Sequence, residues 1–286
     1  MGILLGLATA LAWGSSDFLA RYATRGLGTL RALFCMQTFG AIFLTIFLLA
    51  TGRWGHLFDG SGWRPWAWGF AAGVCNSLAM FAFYRCIELG KLSVVAPLSA
   101  SYPVLTLLLT TFSGERLTLT RSCGIAATLL GAIFVSRGET GADNDSKNAK
   151  QGVVWALCAS VAFGVLFWIL GLRVIDATGA YATVWLIRLT GSSITLMLLL
   201  LTRAGIPKGQ GSAIARTAGM GLLDTGAFVV SNRGMQMEQV SIVTVLSSLY
   251  GAVTVVLAAI LIRERVNSVQ WLGIVAIFAG IVLIGR

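Results

Sequence analysis

"LSVVAPLSASYPVLTLLLTTFSGERLTLTRSCGIAATLLGAIFVSR" occupies residues 92–137, and "VSIVTVLSSLYGAVTVVLAAILIRERVNSVQWLGIVAIFAGIVLIGR" occupies residues 240–286. The second is a diverged copy of the first. Ser93 aligns with Ser241 and Tyr102 with Tyr250; after a one-residue insertion, Glu115-Arg116 aligns with Glu264-Arg265. Gly124 and Gly131 fall on Gly273 and Gly280. The match continues upstream: Asn76 falls on Asp224, Arg85 on Arg233, and "LAWG" (11–14) on "VAFG" (161–164). The chain is therefore an internal repeat with an offset of about 148 to 150 residues.

Each copy is built from apolar runs. A membrane span needs roughly 20 apolar residues. Ten such runs are present, at 2–20, 32–51, 66–88, 92–112, 119–136, 152–172, 181–201, 214–236, 240–262 and 268–285. Each repeat holds five of them. Five is odd, so the second copy enters the membrane from the opposite side. The predicted fold is an all-α integral membrane protein of ten transmembrane helices in two inverted five-helix repeats. The predicted boundaries are 1–137 and 151–286, with a polar linker loop at 138–150. Inverted repeats let two similar halves exchange conformations around a midplane site, which is alternating access.

Composition agrees. The 286-residue chain is 57% hydrophobic and only 11% charged, where a soluble domain carries about 25%. The formal net charge is +10, but the 21 Lys and Arg are scattered between apolar runs, as around membrane spans, so no nucleic-acid partner is expected. Cysteines at 35, 75, 86, 123 and 158 are odd in number and show no close pairing, which points to small buried thiols rather than disulfides or a metal site. The first run has no basic leader and reads as the opening of a multi-span chain rather than a cleavable signal. His56 is the sole histidine and there is no phosphate-binding loop, so neither catalysis nor ATP hydrolysis is expected, and no cofactor. Transport would draw on a gradient or on exchange.

Polar groups inside spans are costly and mark candidate sites. Asp17 and Asp224 are the two acids within apolar runs. Asp17 stands about 22 Å along a helix from Ile3 at 1.5 Å per residue, near the far interface. Arg21 follows one turn later, so the two read either as a helix-end ion pair or as a gate at the mouth. Asp224 lies mid-span with no basic residue three or four positions away, and its repeat partner Asn76 keeps polarity without charge. Arg188 is the one basic residue well inside a span, with Gln37 as its approximate counterpart. Arg188 and Asp224 could form a structural pair, bind the two ends of a zwitterion, or support proton coupling.

Spans four and nine carry the densest polar pattern. "PLSASYP" (97–103) sets Ser99, Ser101 and Tyr102 between two prolines that disrupt backbone hydrogen bonding. "VLSSLYG" (245–251) repeats the pattern with Ser247, Ser248 and Tyr250. Ser99, Tyr102, Ser248 and Tyr250 are predicted to face a central cavity. Trp54, Trp63, Trp66 and Trp68 read as an interfacial belt, whereas Trp13, Trp155, Trp168 and Trp185 lie deeper. Trp13, Ser15, Trp168 and Trp185 join the candidate substrate-binding set. Gly69 and Gly73, Gly219, Gly221 and Gly226, and Gly124 and Gly131 supply small residues for close helix packing.

"WGSS" in the first span, Arg31 leading the second, and the paired "GERLTLTRSCG" and "RERVNSVQWLG" turns resemble the EamA type of the drug/metabolite transporter superfamily. The likeness covers essentially the whole chain as two tandem EamA repeats, similar in size and layout to the YddG-type aromatic amino-acid exporters. It implies a ten-helix exporter of small metabolites, often amino acids, in a cell inner membrane, with both termini cytoplasmic and the monomer as working unit. The partners expected are a small-molecule substrate and the lipid bilayer. Orientation stays open: outside the spans, seven basic residues fall on the side of the termini and thirteen on the other, and the positive-inside rule favours the opposite placement. A multidrug or sugar carrier is the alternative within transport. A lipid-headgroup flippase or membrane enzyme would want a cluster of acids that this chain lacks.

Overall fold

The computed structural model describes residues 1–112, 118–137, 143–205, 211–237, 240–264 and 266–284. The aligned turn residues Glu115, Arg116 and Arg265 lie outside them. Eight helices are long and apolar enough to cross a membrane, and two shorter apolar ones, Leu119–Val135 and Ser268–Ile284, bring the described set to ten. The all-α architecture read from the sequence is the one observed.

The first half consists of α1 (Gly2–Leu27), α2 (Thr29–Thr51), α3 (Arg64–Leu89), a span broken into α4 (Leu92–Ser99) and α5 (Pro103–Phe112), and α6 (Leu119–Arg137). The second half consists of α7 (Asp143–Ile169), which passes through a π-turn at Leu170–Val174 into α8 (Ile175–Thr178), then α9 (Ala180–Leu201) and α10 (Gly211–Met237). A second broken span follows, α11 (Val240–Ser248) and α12 (Tyr250–Leu257) with a π-turn at Ala258–Ile262, and then α13 (Ser268–Ile284). α7 begins at Asp143, inside the stretch read as linker.

Two helix boundaries matter for function. α1 runs seven residues beyond its predicted end because "RYATRGL" stays helical up to Gly28, whose φ of 81° ends it. Asp17 therefore lies 15 residues from the start of a 26-residue helix and 10 from its end. The broken spans also recur. Pro97 and Pro103 flank the first break, where Tyr102 N–H reaches Ser99 O at 3.4 Å. The second break lies at Leu249 without a proline, with Leu249 N–H on Leu246 O at 3.2 Å. The same discontinuity thus survives without the residue that explains it in the first half.

The packing is two-fold related. α1 packs on α10 as α7 packs on α3; α3 on α9 as α2 on α10; α1 on the second broken span as α7 on the first. α2 with α9, and α6 with α13, are pairs of equivalent helices. Small residues set the close approaches. A Cβ on Gly14 would lie 2.5 Å from Val253 Cβ, and one on Gly164 would lie 2.7 Å from the repeat-related Leu105 Cβ. α6 and α13 cross at Gly131 and Gly273, where a Cβ on Gly131 would meet Gly273 O at 2.6 Å.

Outward faces are apolar, as a lipid boundary requires. Cys123 and Cys158 belong to them: both are exposed, so the expectation of buried thiols holds for Cys35 and Cys86 only, with Cys75 in between. Trp54, Phe58, Trp66 and Trp185 form an edge-to-face cluster at the α2–α3 loop. On that loop His56 Nδ1 meets Asp59 at 2.5 Å, and hydrogen bonds from Ser61 and then His56 hold the Asp59 carboxyl down, to about 2.

Candidate functional site

A small cavity lies where the halves meet. Trp13 and Asp17 of α1, Asn76, Met80 and Phe83 of α3, and Tyr102 at the first break form one part of its wall. Phe163, Leu166 and Phe167 of α7, Asp224 and Phe228 of α10, and Tyr250 of α12 form the other. Ten of these twelve residues are five repeat-related pairs: Trp13 with Phe163, Asp17 with Phe167, Asn76 with Asp224, Met80 with Phe228, and Tyr102 with Tyr250. The pseudo-two-fold axis therefore runs through the cavity.

The wall is mainly aromatic. Trp13 stands edge-on to Phe167, Phe228 and Tyr250 at centroid distances of 5.9, 5.8 and 6.2 Å, and Tyr102 stacks on Phe167 at 4.8 Å. The cavity volume is about 40 Å³. At about one water per 10–15 Å³ on this measure, that is room for a few waters. The space is too small for an amino acid, which enters only when the walls part.

The sequence candidates divide into those that face this cavity and those that do not. Trp13, Asp17, Asn76, Tyr102, Asp224 and Tyr250 face it. The serines do not. Ser101, Ser247 and Ser248 donate to Leu98, Val243 and Val245 carbonyls of their own helices at 2.7, 2.6 and 2.7 Å. Ser101 also bonds Ser160 at 3.0 Å, and Ser99 stands behind the wall, 3.1 Å from the Tyr250 hydroxyl. A hydroxyl in a helix satisfies itself on the preceding turn, which turns these groups away from a ligand. Ser15 does the same with Leu11 O at 2.8 Å. Trp168 is half-buried and lies outside the wall that its neighbour Phe167 forms, one residue being about a quarter-turn of helix. Trp185 sits near the start of α9 with the loop tryptophans, its indole N–H on Thr45 Oγ1 at 2.8 Å, and not in the cavity.

Two charge expectations are corrected. Asp17 and Arg21 do not pair. Asp17 turns into the cavity, and Arg21 pairs with Glu264. Glu264 also accepts Leu92 N–H at 3.4 Å and Ser93 N–H at 2.9 Å, at the N-terminus of α4, where backbone partial charge favours a carboxylate. Arg188 pairs with Asp224, but it is fully buried behind the wall and does not line the cavity. Its remaining donors are committed: Nε to Thr225 Oγ1 and Nη1 to Gln37 Oε1, both at 2.9 Å, with Phe228 beneath the guanidinium at 5.7 Å. A ligand carboxylate would have to displace protein partners to reach it. Arg188 positions Asp224.

Met80, Phe83, Phe163, Leu166, Phe167 and Phe228 were not among the sequence candidates. The repeat offset applied to Trp13, Asp17 and Tyr102 on one side, and to Asn76 and Asp224 on the other, points at or within about one turn of five of them; Phe83 lies two turns from Asn76.

The fold has a solved counterpart. A crystal structure titled only as that of a protein superposes with a TM-score of 0.71, covering 99% of this chain and 96% of that one at 17% identity, a likeness of fold alone. No curated protein matches the chain. The EamA-like transporter family matches residues 1–137 and again 150–286. Those two blocks are the two halves that meet at the cavity, and the chain belongs to the EamA-like transporter family.

Proposed function

We propose that this transporter exports amino acids with apolar or aromatic side chains, or closely related amphipathic metabolites, by alternating access. The observation that carries the reading is the cavity itself. It lies on the pseudo-two-fold axis between inverted halves, its wall is aromatic, and its polar groups are few and convergent. An apolar pocket with a handful of placed polar groups is the usual way to hold an amphipathic ligand. The phenols of Tyr102 and Tyr250 are engaged by Thr244 O and Ser99, and Asp224 by Arg188, leaving Asp17 and Asn76 to orient a substrate. A sugar carrier would call for many more free hydroxyl partners than this wall offers.

Both parts of the cavity wall come from one chain, which supports a working monomer. We place it as a multi-pass protein of a cell inner membrane, in line with the YddG-type resemblance. The test is counterflow: purified protein in proteoliposomes, loaded with an unlabelled amino-acid panel and challenged with labelled substrate without ATP. Saturable exchange of phenylalanine, tyrosine, tryptophan or leucine is the expected result. Exchange of sugars or bulky dyes alone would replace this reading by one of the alternatives.

A further inference from the structure

Charge bookkeeping in the cavity leaves a remainder. Arg188 and Asp224 neutralise one another, and Arg21 and Glu264 do the same at the end of α1. Asp17 has no such partner. It is 5% exposed, it faces the cavity, and its Oδ2 is buried without a hydrogen-bond partner among the described residues. Asp224 of α10 and Tyr250 of α12 share the cavity wall with it, Tyr84 and Cys86 of α3 are near enough to feel its charge, and Arg188 of α9 stands behind Asp224. α2 brings the Cys35 thiol and α11 brings no titratable group. The net formal charge of this set is one negative. A lone buried carboxylate is strongly disfavoured unless a positive charge or a proton joins it. Asn76, 1% exposed, also faces the cavity with its Nδ2 unpartnered. The cavity thus offers one anionic acceptor and one neutral donor that the protein leaves unused.

We propose that Asp17 is an exchange site: its carboxylate holds a proton in the empty cavity and the ammonium group of the substrate in the filled one, each displacing the other. This rests on the transport reading above and narrows its substrate class to compounds that carry an ammonium group on an apolar body. When the substrate arrives, the O–H bond of the Asp17 carboxyl breaks and one proton leaves to the water on the open side. When the substrate departs, one proton returns. No oxidant, metal or nucleotide is required. The Asn76 amide then receives whatever acceptor the substrate carries beside its ammonium, a carboxylate in an amino acid. In the second half the position of Asp17 is held by Phe167, stacked on Tyr102, so the exchange group is present once per chain.

The experiment uses the full-length protein in detergent with three probes of one shape: phenethylammonium, phenylalanine and phenylpropionate. Infrared difference spectra during a pH titration report the carbonyl band of a protonated carboxyl, and an indicator dye in weak buffer reports proton release. The expected result is a band in the wild type that disappears in Asp17→Asn, returns shifted in Asp17→Glu, and is bleached by phenethylammonium and phenylalanine with one proton released per site. Apparent affinity for phenethylammonium should change about tenfold per pH unit below the titration midpoint, as one-for-one competition with a proton requires. Asp17→Asn should abolish that slope. A band that persists in Asp17→Asn, binding without proton release, binding of phenylpropionate alone, or no binding of any probe overturns the exchange site. Binding and proton release with phenethylammonium but not phenylalanine keeps the exchange site and discards the amino-acid reading.

Discussion

Arg188 donates to Gln37 Oε1 at 2.9 Å, and the two residues are each other's counterparts in the two halves. Their backbones are held close by a second equivalent pair. A Cβ on Gly40 would lie 3.1 Å from Arg188 Cδ, and one on Gly191 would lie 2.6 Å from Gln37 Nε2. The pseudo-two-fold axis passes through this contact. One side of it carries a charged pair with Asp224; on the other, the counterpart of Asp224 is neutral Asn76.

Breaking that pair from one side should be costly. Arg188→Gln or Asp224→Asn alone leaves a buried charge without its partner, and each should destabilise the protein by about 3–5 kcal/mol, seen as a lowered melting temperature in detergent. The double variant Arg188→Gln/Asp224→Asn should recover most of the loss. It should also keep pH-driven exchange, because Asp17 remains. A well-folded double variant without exchange would move the substrate contact to Asp224.

The Arg21–Glu264 pair joins the end of α1 to the end of the second broken span and, through Glu264, to the start of α4. Glu264→Gln removes the charge from all three contacts. That end of the protein should open more often, and Cys86, fully buried on α3, should react faster with a thiol reagent by peptide mapping. Unchanged labelling at Cys86 would mean that the pair contributes to helix packing only.

Glycines separate into two groups by surroundings. Gly131→Ala places a methyl group 2.6 Å from Gly273 O and should destabilise α6–α13 packing, lowering the melting temperature. Gly219 on α10 has nothing within 4 Å, so Gly219→Ala should be neutral or stabilising, by about 0.5–1 kcal/mol from helix propensity. A destabilised Gly219→Ala would contradict the packing described.

Trp13 touches three other rings of the cavity wall. Trp13→Ala should cost about 3–5 kcal/mol and reduce counterflow of aromatic amino acids more than that of leucine. Trp13→Phe should retain most of both, by the same assay.

The repeat, read from Ser93/Ser241, Tyr102/Tyr250 and the paired glycines, carried nearly everything about the architecture; the break at Leu249 was not legible, because no proline marks it. Side-chain direction was less legible. Ser99, Ser101, Ser247 and Ser248 looked like ligands because a hydroxyl in an apolar run is conspicuous, yet a helix absorbs that hydroxyl on its own carbonyls. Asp17 looked like a partner of Arg21 because they are one turn apart. The competing acceptor, Glu264, is 243 residues away from Arg21 in sequence, and no local pattern reveals it. Phe163 was marked by its alignment with Trp13, but Phe167 and Phe228 were hidden for the opposite reason: a phenylalanine in a membrane span is unremarkable until its symmetry partner is known to face a cavity.

The pairing of Asp17 with Phe167 has one more consequence. Two identical inverted halves would give inward-open and outward-open forms of equal energy, and the empty carrier would idle between them. Here a carboxylate on one side of the axis is matched by a hydrophobic ring on the other, so the two forms expose different chemistry to water. A hydrated Asp17 is favoured where a hydrated Phe167 is not. The empty protein should therefore open more readily to one side than to the other, and that built-in bias gives a nearly symmetric scaffold a preferred direction of loading.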